Sequence, residues 1–229
     1  VLSRLRRDHG VHLLFRTIFE SRTIEALAKR VDDSRRENAT ETATVVPQVQ
    51  HCATRNTAPL SVLQERLWML EELDPSQRGR HANSASWTLS GPLDVARLER
   101  ALEALCLRHP ILCTSIQTVD GVRQQVVSPA SRLKLEVEDF APLEGAAREA
   151  ALSDFFRTQQ FAPFDLAVTP LFRVALVRLA TDEHLLYSIQ HSIVWDGWSF
   201  DLFLRDLDEL YAADEEGRAP SLPELSVTY

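Results

Sequence analysis

The stretch HSIVWDGWS, His191 to Ser199, decides how the rest of the chain is read. It follows the apolar run HLLYSIQ, 184–190, and leads into SFDLFLRDLDELYAA, 199–213. In the latter, Phe200, Phe203, Leu204, Leu207 and Tyr211 recur at helical spacing. A strand therefore ends at His191 and a helix begins just after it, a junction at which a rigid scaffold presents side chains to a cleft. Gly197 suits a sharp turn with a backbone torsion that side chains resist. Asp196, set between Trp195 and Trp198, is expected to be half-buried, to need an arginine partner, and to hold the turn rather than react. His191 has two readings: a site residue that orients a neighbour or touches substrate, or an imidazole satisfied by backbone beside the core.

Working outward, the chain shows strands and helices mixed without strict βαβ alternation, which predicts an α+β layered sheet with helices packed on it. Upstream of His191, LFRVALVRLA and HLLYSIQH read as strands around a polar break at Thr181–Glu183, with His184 as a solvated turn residue. ILCTSIQTVDGVRQQVV reads as a hairpin turning at Asp120-Gly121. NSASWTLSG and LKLEVED are further strands, and LEGAAREAALSDFFRTQ is a helix. DVARLERALEALCLRH is an amphipathic helix with Val95, Leu98, Leu102 and Leu105 inward. LSVLQERLWMLEEL opens on a capping box, Ser61 with Gln64, ahead of the apolar positions Leu63, Leu67 and Leu70.

Residues 1–33 read as short helices: one ending at Gly10, one with Leu14, Ile18 and Phe19 on a face, and one capped by Thr23 that buries Ile24, Leu27 and Val31. Residues 34–56 are polar, threonine-rich and aperiodic, and predict a linker. Residues 57–229 carry the main pattern. The chain opens on no methionine and in mid-pattern, and it stops at SLPELSVTY without a closing element, so both ends read as cut.

A net charge of -8 argues against nucleic-acid binding, which needs clustered positive charge. The 3 cysteines, Cys52, Cys106 and Cys113, have no CxxC spacing and fit a reducing cytoplasm. No apolar run approaches the ~20 residues that span a bilayer. His184, His191 and Asp196 do not form a convincing metal set, and no GxSxG elbow or phosphate loop competes with the stretch at 191.

HSIVWDGWS resembles the HHxxxDGWS motif of the condensation domains of nonribosomal peptide synthetases. LSVLQERLWML is similar to that family's opening motif, SxAQxRLWxL, through Ser61, Gln64, Arg66, Leu67, Trp68 and Leu70. RHPILCTSI is similar to its RHxxLRTxF motif through Arg108, His109, Leu112 and Thr114. The N-terminal segment is similar to the last helices of a peptidyl carrier domain, whose phosphopantetheine-bearing serine would lie before residue 1. The resemblance implies a chloramphenicol-acetyltransferase-like fold, of which this chain would be one lobe of two. The missing C-terminal lobe would complete a tunnel between them. It implies amide-bond formation between a thioester on an upstream carrier domain and an aminoacyl amine on a downstream one. It implies His191, position 192, Asp196 and Gly197 as the site, supported by Trp198, Arg66, Arg108 and residue 113.

Two positions depart from the family pattern. Ser192 stands where the second imidazole contacts the attacking amine, and a hydroxyl cannot take a proton near neutral pH without a base of its own. Losing a positioned base costs on the order of 10²–10⁴ in rate. Cys113 stands where the family has arginine, so a fork of donors is replaced by a weak thiol. Three functions therefore stand on the sequence: an acyltransferase with a degenerate motif, a silent condensation-like scaffold or docking module, and a coenzyme A-dependent acyltransferase. The isolated chain is expected to be inactive.

Overall fold

The computed structural model describes residues 2–11, 13, 15–38, 56–75, 78–128 and 133–225. The chain divides into two compact units, residues 1–50 and 51–229.

The first unit holds α1 (Leu2–His9), α2 (Phe15–Glu20) and α3 (Ile24–Asn38). Gly10, at φ +65, terminates α1 in the left-handed conformation that glycine adopts without strain. Val11 is buried behind it. Thr23 caps α3, its Oγ1 accepting from the Ala26 N–H at 3.1 Å. Leu27 and Val31 are half-buried. Ile24, however, is 89% exposed and Phe19 is exposed as well. The helix also runs on to Asn38, past residue 33 and into the segment read as linker. Polar residues deprive a helix of a buried face but do not break it, and Arg35 donates to His9 Nδ1 at 3.1 Å across the unit. Leu14, Cys52 and residues 39–55 lie outside the described residues.

The second unit follows the order β1 (Thr57–Pro59), α4 (Val62–Leu73), β2 (Ala82–Ser90), α5 (Val95–Arg108), a 3₁₀ turn (Pro110–Cys113), β3 (Thr114–Val119), β4 (Val122–Val127), β5 (Leu135–Asp139), α6 (Gly145–Phe161), β6 (Phe172–Ala180), β7 (Glu183–His191) and α7 (Gly197–Glu216). Its main sheet has the order β2-β7-β6-β5, antiparallel except for the β5–β6 pair. One face carries Phe172, Val174, Leu176 and Leu186 against Leu98, Leu102 and Leu105 of α5 and Phe203, Leu207 and Leu210 of α7. On the other face Tyr187 and Ile189 meet Phe164, Leu166 and Leu171, with Phe155 and Phe156 of α6 packed alongside. A strand covered on both faces reads as a near-continuous apolar run. His184 is therefore not a solvated turn residue: β7 already begins at Glu183, and His184 is 5% exposed, on the face it shares with Leu186.

The smaller sheet is β1-β4-β3. Asp120 and Gly121 form its hairpin turn with φ of 51 and 77, the positive pair that a two-residue I′ turn requires. No closed barrel is present among the described residues. The mixed layered architecture agrees with the expectation from the sequence.

Candidate functional site

The site is built where α4 crosses the end of β7. Ser61 caps α4 in a reciprocal box: its Oγ accepts from the Gln64 N–H at 3.3 Å, and Gln64 Oε1 accepts from the Ser61 N–H at 2.9 Å. Gln64 is buried, and its Nε2 donates at 3.0 Å to both Gln125 Oε1 and the Ile193 carbonyl. Two turns on, Glu71 is 2% exposed. The inward stripe of α4 thus carries Gln64 and Glu71 beside the half-buried Leu67 and Trp68, while Leu63 and Leu70 are exposed. Leucine spacing marks the helix but not the face that packs.

Glu71 is the hub. Its Oε1 lies 2.7 Å from His191 Nε2 and 3.3 Å from His81 Nδ1. His191 Nδ1 accepts from the Ile193 N–H at 3.1 Å, so the ring proton sits on Nε2 and is donated to the carboxylate. Burial pushes the Glu71 carboxyl up, but the hydrogen bonds from His191 and His81 outweigh it, and its pKa is lowered. His191 is 0% exposed with both nitrogens engaged. One partner is backbone and the other a side-chain carboxylate.

Ser192 lies at the rim of a groove of about 860 Å³, whose lining includes Leu63, Arg66, Leu70, His81, His109, Trp195, Asp196 and Trp198. Its Oγ donates to the His81 carbonyl at 2.6 Å and accepts from Asn83 Nδ2 at 3.0 Å, and its backbone N–H reaches the same carbonyl at 2.8 Å. Ser192 thereby clamps the start of β2 to the end of β7.

Asp196 is exposed rather than half-buried and has no arginine partner among the described residues. It caps α7, accepting from the Ser199 N–H at 3.0 Å and the Ser199 hydroxyl at 2.7 Å. The helix N-terminus satisfies the carboxylate in place of a guanidinium. Gly197 is not in the left-handed region, and a Cβ there would meet nothing within 4 Å, so torsion does not explain it; it is simply the first residue of the helix. Trp195 stacks on Phe172 at 5.6 Å, whereas Trp198 is 80% exposed.

The other supporting residues separate. Arg66 is exposed and lines the groove. Arg108 points away from it: its Nε donates to Asp206 Oδ2 at 2.9 Å and its Nη2 to the Pro223 carbonyl at 2.6 Å. Asp206 also accepts from Arg205 and lies 2.8 Å from His109 Nε2. Cys113 is a buried core thiol that reaches the Cys106 carbonyl at 3.7 Å, not a groove residue.

The sequence reading missed Glu71 and His81. Glu71 sits in a helix of ordinary amphipathic composition, and His81 in a turn at the head of a strand, so neither has a local signal. Glu71, His81 and His191 are also the group among the described residues whose ligand atoms, within 4.8 Å of one another, could converge on a cation. The 2.7 Å contact and the Nδ1 acceptor of His191 describe instead two N–H donors on one carboxylate. No helix among the described residues is long and apolar enough to cross a membrane.

Two sheets, with a groove at the turn between β7 and α7, make up this unit. Residues 54–229 match the condensation-domain model, and the chain belongs to that family. It is 34% identical over 229 residues to a linear gramicidin synthase of Brevibacillus parabrevis, covering 100% of this chain and 4% of that protein. It is 33% identical over 234 residues to phosphinothricin tripeptide synthetase PhsB of Streptomyces viridochromogenes, covering 99% of this chain and 19% of that one. Among solved structures it is similar to the starter condensation domain of rhizomide synthetase RzmA (TM-score 0.66, 24% identity, covering 74% of this chain and 42% of that one). It is also similar to the first condensation domain of the calcium-dependent antibiotic synthetase (TM-score 0.65, 27% identity, covering 73% and 41%). The fold is accordingly the chloramphenicol-acetyltransferase-like one that the motifs implied.

Proposed function

We propose that residues 54–229 act as the N-terminal lobe of a condensation domain that joins a carrier-bound thioester to a carrier-bound amine in an amide bond. The observation that carries this reading is the groove itself. It runs along the Ser192–Ser199 turn and is walled by the apolar side chains Leu63, Leu70, Trp198 and Leu202, all of them exposed. Such a surface awaits a covering element. A second lobe laid on it would turn the groove into a tunnel open to carriers at both ends. Phosphopantetheine arms on those carriers supply the thioesters; the residues of this lobe position the amine and exclude water. Residues 1–33 are read as the closing helices of an upstream carrier domain, joined to the main unit through residues 34–56.

A catalytically silent scaffold is the second reading. Its support is Ser192, whose one hydroxyl proton is spent on the His81 carbonyl. The test uses the complete synthetase with both carriers loaded and follows product by intact-protein mass spectrometry. A carrier-bound amide is expected; its absence with both carriers loaded favours the scaffold, and transfer from free acyl-coenzyme A instead would favour the coenzyme A-dependent alternative. The isolated chain is expected to form no product.

A further inference from the structure

Replacing the family's second imidazole by Ser192 removes a base from the motif but leaves two imidazoles on the groove wall, His81 and His109. They differ in what holds them. His109 points Nε2 at Asp206, whose carboxylate is already met by Arg108 and Arg205, so the charge facing that imidazole is offset by two guanidiniums. His81 points Nδ1 at Glu71, whose other neighbour on the same oxygen is the buried, neutral-tautomer His191. The carboxylate therefore holds the proton of His81 on Nδ1 and leaves the lone pair on Nε2. The same logic orients an imidazole base wherever an acid backs it. His81 Nε2 has no hydrogen-bond partner among the described residues, and the side chain is 25% exposed. The main chain of His81 is fixed by the two hydrogen bonds that Ser192 donates to its carbonyl.

We propose that His81 is the general base of this domain, positioned by Glu71 and by Ser192, so that the imidazole missing from position 192 is supplied from the turn before β2. The proposal rests on the condensation reading above. As the amine nitrogen bonds to the thioester carbonyl carbon, His81 Nε2 takes the proton the amine sheds. The carbon–sulfur bond then breaks with its electron pair on sulfur, and the departing thiolate recovers that proton. The imidazole is left as it began.

The experiment measures single-turnover amide formation between loaded carriers in the complete synthetase. His81→Ala is expected to slow transfer by about 10²–10⁴-fold. Added imidazole is expected to restore part of the loss, as is the double variant His81→Ala with Ser192→His. His81→Asn, which keeps a polar group opposite Glu71, guards against misfolding and is expected to be equally slow. Diethyl pyrocarbonate on the unmutated protein gives a readout free of substitution: His81 is expected to be carbethoxylated and the buried His191 spared, by peptide mass spectrometry. Rates within about threefold of the parent in His81→Ala, or full activity with His81 modified, would overturn the proposal while leaving the condensation reading intact. Loss that neither imidazole nor Ser192→His restores would mark His81 as structural and also overturn it. A parent protein that forms no amide sinks both.

Discussion

Glu71 and Asp206 are the two buried acids among the described residues, and the fold uses them in opposite ways. Asp206, on α7, gathers Arg108 and His109 from the end of α5 and Arg205 from its own helix. Its charge is consumed in tying two helices together. Glu71, on α4, gathers two imidazoles among the described residues, one sealed in the core and one on the groove wall. The second of these rings lines the groove and is 25% exposed. A guanidinium cannot give up its proton in a protein and an imidazole can, so the two acids differ in the chemistry their partners allow. The family motifs contributed Arg108 to the brace and His191 to the pair, and neither presents a reactive atom to the groove.

Four substitutions sharpen or break this contrast. The largest stability loss is expected for Asp206→Asn, about 3 kcal/mol by denaturant unfolding, because one change strips a buried charge from three partners. Glu71→Gln follows at about 2 kcal/mol, since an amide satisfies one imidazole N–H less well than a carboxylate satisfies two. If Glu71→Gln proved the costlier of the pair, the description of Asp206 as the structural acid would fail. Asp196→Ala is expected to cost about 1 kcal/mol, the loss of an N-cap. An effect several times larger would point to a buried partner that the cap geometry does not include. Trp198→Ala is expected to change stability by less than about 0.5 kcal/mol in this chain, as suits an 80% exposed ring. A marked loss in the complete protein alone would show the ring covered by the second lobe.

The two acids also agree on one behaviour. At each, burial favours the neutral acid, but the bonds from His191 and His81, or from Arg205, His109 and Arg108, prevail and lower the pKa. The folded state thus binds fewer protons than the unfolded chain near pH 4. Their contribution to stability is complete above the ordinary carboxylate pKa of about 4 and is lost as pH falls through the lowered folded values. Unfolding free energy measured from pH 7 to pH 3 should be flat with respect to these groups and then decline. Glu71→Gln and Asp206→Asn should each flatten the decline.

The turn at Asp120-Gly121, the cap at Ser61, the helix of Leu98, Leu102 and Leu105, and the strand running into His191 were all legible because each depends on neighbours a few positions apart. The torsion assigned to Gly197 and the arginine assigned to Asp196 failed for a related reason. A helix N-terminus at that spot satisfies both residues, and where a helix starts is settled by packing as much as by local pattern. α3 runs on to Asn38 because polar residues deny a helix a buried face without breaking it.

What the sequence determined by itself was the class of the protein: ordered motifs at the right spacing, and a period that changes from strand to helix around residue 191. What only the tertiary structure decided was which side chains meet. Glu71 and His191 stand 120 positions apart and touch at 2.7 Å. His81 and Ser192 stand 111 apart and share a hydrogen bond of 2.6 Å. Proton transfer depends on distances of a few ångströms, and those are fixed by the pairing of β2 with β7 and the crossing of α4 over their end, which no local run of residues encodes.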